Sequence, residues 1–181
     1  MKNEYGKWVQ TLLSSDKVDE VIRAQIDTLL EIIPEIKPMI GFEHKHPHHH
    51  LDVWEHTLEA LRVSENDPDV RLVLLLHDIG KPHACREGEI RHFYGHAEVS
   101  AHMGREILSR LGYGDEDVLR LCDMILRHDT ALKREDVASN PVMSRKLLEV
   151  QRCDTLAHNP QKLTRRLEYL EMARGLFEEE T

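Results

Sequence analysis

The stretch Leu72-Val-Leu-Leu-Leu-His77-Asp78-Ile79-Gly80-Lys81-Pro82 constrains the fold more than any other part of this chain. An apolar run ends in a histidine and an aspartate, and Gly-Lys-Pro follows. A run with no polar face reads as a helix buried on all sides. Its last turn then carries two side chains whose burial costs several kcal/mol unless they find partners. A divalent metal would satisfy both at once. The plainer alternative is a helix end whose His and Asp bond to backbone groups. Gly80 is expected in the left-handed position after a helix, with Pro82 preventing continuation.

A length of 181 residues fits one domain that buries its own core without disulfides. The expected division is an N-terminal helical extension over 1–40, a metal-binding core over 50–160 and a C-terminal helix over 161–181. Apolar stretches are too short for a membrane span, and the N-terminus lacks a signal-peptide pattern. Cys85, Cys122 and Cys153 are far apart and odd in number, which fits neither a zinc ribbon nor a disulfide framework and points to the cytoplasm. A net charge of −9 argues against broad nucleic-acid binding. A small phosphorylated substrate stays open, because bound metal would reverse the local field. Five of the thirteen histidines crowd into His44-Lys-His46-Pro-His48-His49-His50; this cluster is internal and interrupted, unlike a purification tag.

Between Gly, Pro and Asn punctuation the apolar spacing is helical throughout, and no alternating strand stands out. One or two helices are expected from about Trp8 to Ile33, ended by Pro34 and Pro38, and Gly41 to Leu51 is a histidine-rich loop. Asp52 should cap a helix over Val53–Ser64, with His56 on the face of Val53, Ala60 and Val63. Asp67-Pro68 starts the helix that ends in His77-Asp78. A polar loop from Lys81 to Gly95 follows. Gly95-His96 opens a helix to about Leu111, with His96 facing inward beside Ser100, Met103 and Ile107 and His102 on the surface. Asp115 should cap the next helix, whose stripe Val118, Leu121, Ile125 ends at His128. Ala131–Asn140 reads as a connection. Asn140-Pro141 restarts a helix with Met143, Leu147, Val150 and Asp154 on one stripe. Asn159-Pro160 precedes a last helix over Leu163–Phe177, and the acidic tail Glu178-Glu179-Glu180 should fray. The architecture is all-α, an irregular bundle of seven or so helices.

A lone inward histidine is more often a satisfied core residue than a ligand, and an inward aspartate can be a salt bridge to arginine. Here the inward polar residues arrive about one per helix: His56, His77 with Asp78, His96, His128 and Asp154. One shared site explains them better than separate accidents, and a metal centre built from facing helices has this form. Mixed imidazole and carboxylate donors suit Mn, Fe, Co, Ni or Zn rather than calcium.

The ordered set His … His-Asp … Asp, with the string HDIGKP, resembles the HD-domain metal-dependent phosphohydrolase superfamily. HLDVWEHTLEAL, HDIGKPHACREGEIRHFYGHAEVSA and CDTLAHNP are similar to the HD domain of bacterial CCA-adding tRNA nucleotidyltransferases, over roughly His50 to Pro160. The resemblance implies an HD-type helical bundle. It also implies four core ligands at His56, His77, Asp78 and Asp154. In members with two metals it adds His96 and His128, with Asp78 bridging. The Gly-Ser and paired aspartates of the nucleotidyltransferase catalytic domain do not precede the match, so the HD module is expected as a free-standing protein without CCA addition.

The implied chemistry is hydrolysis of a phosphomonoester or phosphodiester, with a nucleotide as the expected substrate. One or two divalent ions would activate a water, which Asp78 would orient. Lys81 could neutralise a phosphate oxygen or be a solvated helix-end lysine. His83, His92 and one of His48 to His50 are loop residues within possible reach of a leaving group. Two rival readings remain: a non-catalytic HD module that binds a nucleotide or protein partner around a structural metal, and a nickel- or zinc-handling protein using His44–His50. The oligomeric state stays open.

Overall fold

A computed structural model describes residues 2–178. Of the expected acidic tail, Glu179 and Glu180 lie outside the described residues. Those residues form eleven α-helices and no strand: α1 Glu4–Leu13, α2 Val18–Ala24, α3 Ile26–Ile32, α4 Val53–Arg62, α5 Pro68–Leu76, α6 Lys81–Ala84, α7 His96–Arg110, α8 Asp115–Leu126, α9 Arg134–Ser139, α10 Pro141–Leu156 and α11 Thr164–Gly175. Two 3-10 turns, Pro34–Met39 and Pro160–Lys162, complete them. Among the described residues no helix is long and apolar enough to cross a membrane.

The all-α class holds, and α5 is the central helix. Its start is fixed by Asp67, whose side chain accepts from the amides of Asp69 and Val70 at 2.9 and 3.1 Å. Pro68 sits in the first turn, where no donor is needed. Every residue from Val70 to Leu76 is buried, and α1, α4, α7, α8 and α10 all pack on this helix. Arg71 is the one cation inside it. Its guanidinium donates to the carbonyls of Leu13 and Ser15 at 2.6 and 2.7 Å, tying the end of α1 to the core. Val9, Leu12, Val18, Ile22 and Leu29 belong to the same apolar cluster as Leu72–Leu76, so the N-terminal helices pack on the core.

The helix count exceeds the seven or so expected, for local reasons. The turn before Val18 and the break at Gln25 divide the N-terminal segment into three. The connection expected over Ala131–Asn140 contains α9. Asp115 lies inside the first turn of α8, and Gly114 holds the cap position instead. The last helix begins at Thr164, after a 3-10 turn in which Asn159 accepts from the amide of Gln161 at 3.1 Å.

Gly80 and Pro82 do not do what the sequence led us to expect. Gly80 has right-handed angles, φ −81° and ψ −14°. Lys81 bonds back to the carbonyl of Asp78 at 3.0 Å, and α6 starts at once with Pro82 in its first turn, where a missing N–H costs nothing. Gly80 is required by proximity. A Cβ there would lie 2.6 Å from the amide nitrogen of Ser100 and 2.7 Å from the carbonyl oxygen of His96. The first turn of α7 therefore rests directly on the backbone that follows Asp78.

Candidate metal centre

Six side chains from five helices meet around Asp78. His56 projects from the second turn of α4, a helix started by Asp52 accepting from the amide of Glu55 at 2.8 Å. His77 and Asp78 close α5, His96 opens α7, His128 follows α8, and Asp154 sits in the last turn of α10. Asp78 Oδ2 lies 3.6 Å from His56 Nε2 and 3.3 Å from His77 Nε2. Its Oδ1 lies 3.4 Å from His96 Nε2 and 3.8 Å from His128 Nε2. Asp154 Oδ1 is 2.9 Å from His56 Nε2 and 3.6 Å from His77 Nε2. The structure thus brings together all six residues singled out as ligands.

The histidine rings are aimed by the main chain. His56 Nδ1 donates to the carbonyl of Ala157 at 3.1 Å, and His77 Nδ1 donates to that of Leu74 at 2.7 Å. His96 Nδ1 donates to Phe93 at 2.9 Å, and His128 Nδ1 donates to Ile125 at 2.7 Å. A carbonyl oxygen only accepts, so Nδ1 carries the hydrogen in each ring and Nε2 is the end presented to Asp78. This is the usual outer support of a metal-binding imidazole.

The donors fit a metal. Among the described residues, four buried side-chain atoms have no partner in hydrogen-bond geometry, and three of them are His77 Nε2 and the two oxygens of Asp78. His56, His77 and Asp78 offer ligand atoms within 4.8 Å of one another, and so do Asp78, His96 and His128. The Lys81 ammonium lies 2.7 Å from Oδ2, but Oδ1 faces only His96 and His128, and its burial there is costly without a further cation. Burial alone would raise the Asp78 carboxyl and lower the His77 imidazole. The opposite charges prevail instead, holding Asp78 well below the usual carboxylate range and lifting His77 to about 10. Asp154 is also held low, against its burial, by His158 and His56. His128 goes the other way, to about 4, through burial and the charge on His77.

A pH dependence follows from His77. Below its raised value the metal-free protein keeps a proton there, and a cation must displace that proton. Metal loading at pH 7–8 is therefore expected to release a proton. Affinity should fall by up to about tenfold per pH unit of acidification. Calorimetry in buffers of different ionisation enthalpy would show this; a heat independent of buffer would contradict it.

Lys81 is buried, which removes the solvated alternative. Its ammonium lies 2.7 Å from Asp78 Oδ2 and 3.1 Å from His44 Nε2. His44 is itself pinned through Nδ1 to the carbonyl of Leu51 at 2.8 Å, and burial and the Lys81 charge push it down to about 2. It is therefore a neutral acceptor for the lysine. The arginine partner considered for Asp154 also exists: Arg166 Nη1 lies 3.3 Å from its Oδ2. A cavity of about 340 Å³ opens over the cluster, walled by Lys81, Arg91, His92, Tyr94 and Arg166 among others. His102 is exposed, as expected. His83 is exposed and outside the cavity wall.

Two residues of this region escaped the sequence reading, His158 and Arg166, and His44 was read only as one of the His44–His50 cluster. His158 stands four residues after Asp154 with its Nδ1 on the Asp154 carbonyl at 2.7 Å, a spacing that could have marked it. Nothing local distinguishes His44 from its exposed neighbours His48 and His50.

The profile of the family described as HD domain matches residues 48–166. The chain belongs to that family. HD domains form a superfamily of metal-dependent phosphohydrolases, and the matched segment of this one contains all six clustered side chains. This HD domain is 33% identical over 144 residues to the A-adding tRNA nucleotidyltransferase of Deinococcus radiodurans, covering 75% of the chain and 33% of that protein. It is 38% identical over 112 residues to the CC-adding tRNA nucleotidyltransferase of Thermus thermophilus, covering 57% and 25%. A multifunctional CCA protein of Legionella pneumophila matches at 29% over 142 residues, covering 67% and 34%. The matched region spans about a quarter to a third of the length of these relatives.

Proposed function

We propose that this HD domain is a metal-dependent phosphohydrolase acting on a phosphomonoester or phosphodiester, with a nucleotide as its substrate. The observation that carries the reading is Asp78. It is a buried carboxylate whose two oxygens face separate histidine pairs, and three members of its cluster, His96, His128 and Asp154, line a cavity together with Lys81, Arg91 and Arg166. His56, His77, Asp78 and Asp154 would hold one Mn, Fe, Co, Ni or Zn ion, and Asp78, His96 and His128 a second. Such ions, when bound, lower the pKa of a bound water and polarise a phosphoryl oxygen.

The remaining work falls to the chain's own side chains. Asp78 orients the attacking water, accepting a hydrogen bond from it. Lys81 holds Asp78 in place and brings positive charge to the floor of the cavity. Arg166 is about 40% exposed. With the charge of Asp154 engaged at the cluster, its guanidinium is available to grip phosphate oxygens in its fork geometry. These local cations let an acidic chain take an anionic substrate. The free thiols of Cys85, Cys122 and Cys153 support a cytoplasmic setting.

The test is hydrolysis by chain reconstituted with each metal in turn, using p-nitrophenyl phosphate, bis(p-nitrophenyl) phosphate and nucleoside 2′,3′-cyclic phosphates. Turnover that vanishes with chelator is expected on at least one of them. Tight metal binding with no turnover on any would overturn the reading and leave a binding module with a structural metal.

A further inference from the structure

The fourth buried atom without a partner is Nδ1 of His49. Nothing in the proposed function uses it. His49 belongs to the histidine-rich loop, but it is not carried on loose chain. The amide and side chain of Asn159 donate to the carbonyls of His48 and Pro47 at 2.9 and 3.1 Å. The His49 ring stacks on buried His44 at 3.7 Å with an angle of 6°. Close to it also lie His158, with ring centres 4.3 Å apart, and His56, at 5.1 Å. His49, His56 and His158 each offer a ring nitrogen, and the three lie within 4.8 Å of one another.

We propose that His49, His56 and His158 form an alternative all-imidazole metal site that borrows His56 from the cluster around Asp78. Three nitrogen donors without a carboxylate favour zinc, nickel or copper over manganese or magnesium. Zinc takes three such ligands and leaves its fourth position to water. His158 has spent Nδ1 on the Asp154 carbonyl, so Nε2 is its coordinating end. His56 has spent Nδ1 on Ala157 and has a single nitrogen left, 2.9 Å from Asp154. That nitrogen serves one ion at a time. An ion among the three histidines therefore competes with one at His56, His77, Asp78 and Asp154, and a zinc-class metal in excess acts as an inhibitor. The inhibition clause rests on the hydrolase reading; the binding clause does not.

Histidine ring ¹⁵N spectra of the whole chain during a zinc titration test the binding. The ring nitrogens of His49 and His158 are expected to move to metal-bound positions with zinc and to stay put with magnesium. In His49→Ala the His158 change should be lost. Zinc shifts confined to His56, His77, His96 and His128 would overturn the site. Kinetics test the borrowing. Zinc is expected to inhibit the manganese-loaded chain, and His49→Ala to need on the order of tenfold more zinc to halve its own manganese turnover. Equal zinc sensitivity in the two proteins would overturn the shared role of His56. Absence of all turnover in the unaltered chain would count against the hydrolase reading instead and leave the spectra to decide the site.

Discussion

Replacing Asp78 with Asn is expected to leave no tight manganese binding at either core position and to cut turnover by at least roughly 10²-fold. Losing an outer partner of a ligand already costs about 10–100-fold, and Asp78 faces two separate histidine pairs, so two such losses multiply. Asn keeps the size of the side chain and one oxygen, but it gives up the charge that draws a cation between the rings. The same change should also destabilise the metal-free chain, by about 3–5 kcal/mol. Asp78 Oδ2 lies 2.7 Å from the buried Lys81 ammonium, and the amide leaves that charge without its counter-ion. His77 should lose the charge that raises it and titrate nearer the ordinary histidine value of about 6.5. Elemental analysis, circular dichroism and kinetics on the one variant check all of this. Two manganese ions retained per chain would show that Asp78 is not the shared ligand.

Gly80→Ala is expected to be the most damaging single-methyl change near the site. The added carbon would lie 2.6 Å from the Ser100 nitrogen and 2.7 Å from the His96 oxygen, both backbone atoms that cannot swing aside. The first turn of α7 has to back away. It would weaken the bond from the Gly80 amide to Ser100 Oγ, now 2.9 Å, and carry His96 away from Asp78. Overpacking of this kind costs about 1–3 kcal/mol, and each kcal/mol lowers Tm by roughly 2–4 °C in a chain of this size. A fall of about 2–12 °C is expected. The core position that uses His96 and His128 should weaken more than the one that uses His56 and Asp154. Thermal melts with and without metal, together with metal stoichiometry, measure both effects. An unchanged Tm would mean that α7 adjusts freely.

The features legible in the sequence were those written in local order. Asp52, Asp67 and Asn140 announce helix starts because a short polar side chain ahead of an apolar stripe has one economical use, and all three cap as expected. The run Leu72–Leu76 reads as the central helix because it has no face to give to solvent. Helices of four and six residues, α6 and α9, run for too few turns to show a period, and both were missed. Gly80 was misread because close approach by a distant helix leaves no mark on neighbouring residues. The same holds for His44, His49 and His158. Which histidine of a cluster is buried depends on what arrives from elsewhere: Lys81 onto His44, and the end of α10 onto His49. Arg71 carried little warning either, since the two carbonyls it holds, those of Leu13 and Ser15, lie more than fifty residues away in sequence.

The carbonyls that aim the rings have a consequence for how such a protein can change. Leu74, Phe93, Ile125 and Ala157 do the aiming with atoms that every amino acid possesses. No point substitution deletes them, and a neighbouring side chain can be exchanged without turning a ring, provided the helix ends stay in place. The residues around the mouth are thereby released from upkeep of the centre. Arg91, His92 and Tyr94 can drift, and with them the molecule accepted, while the ligand arrangement is inherited intact. A lineage built on this scaffold can diversify at the rim without having to reinvent the floor.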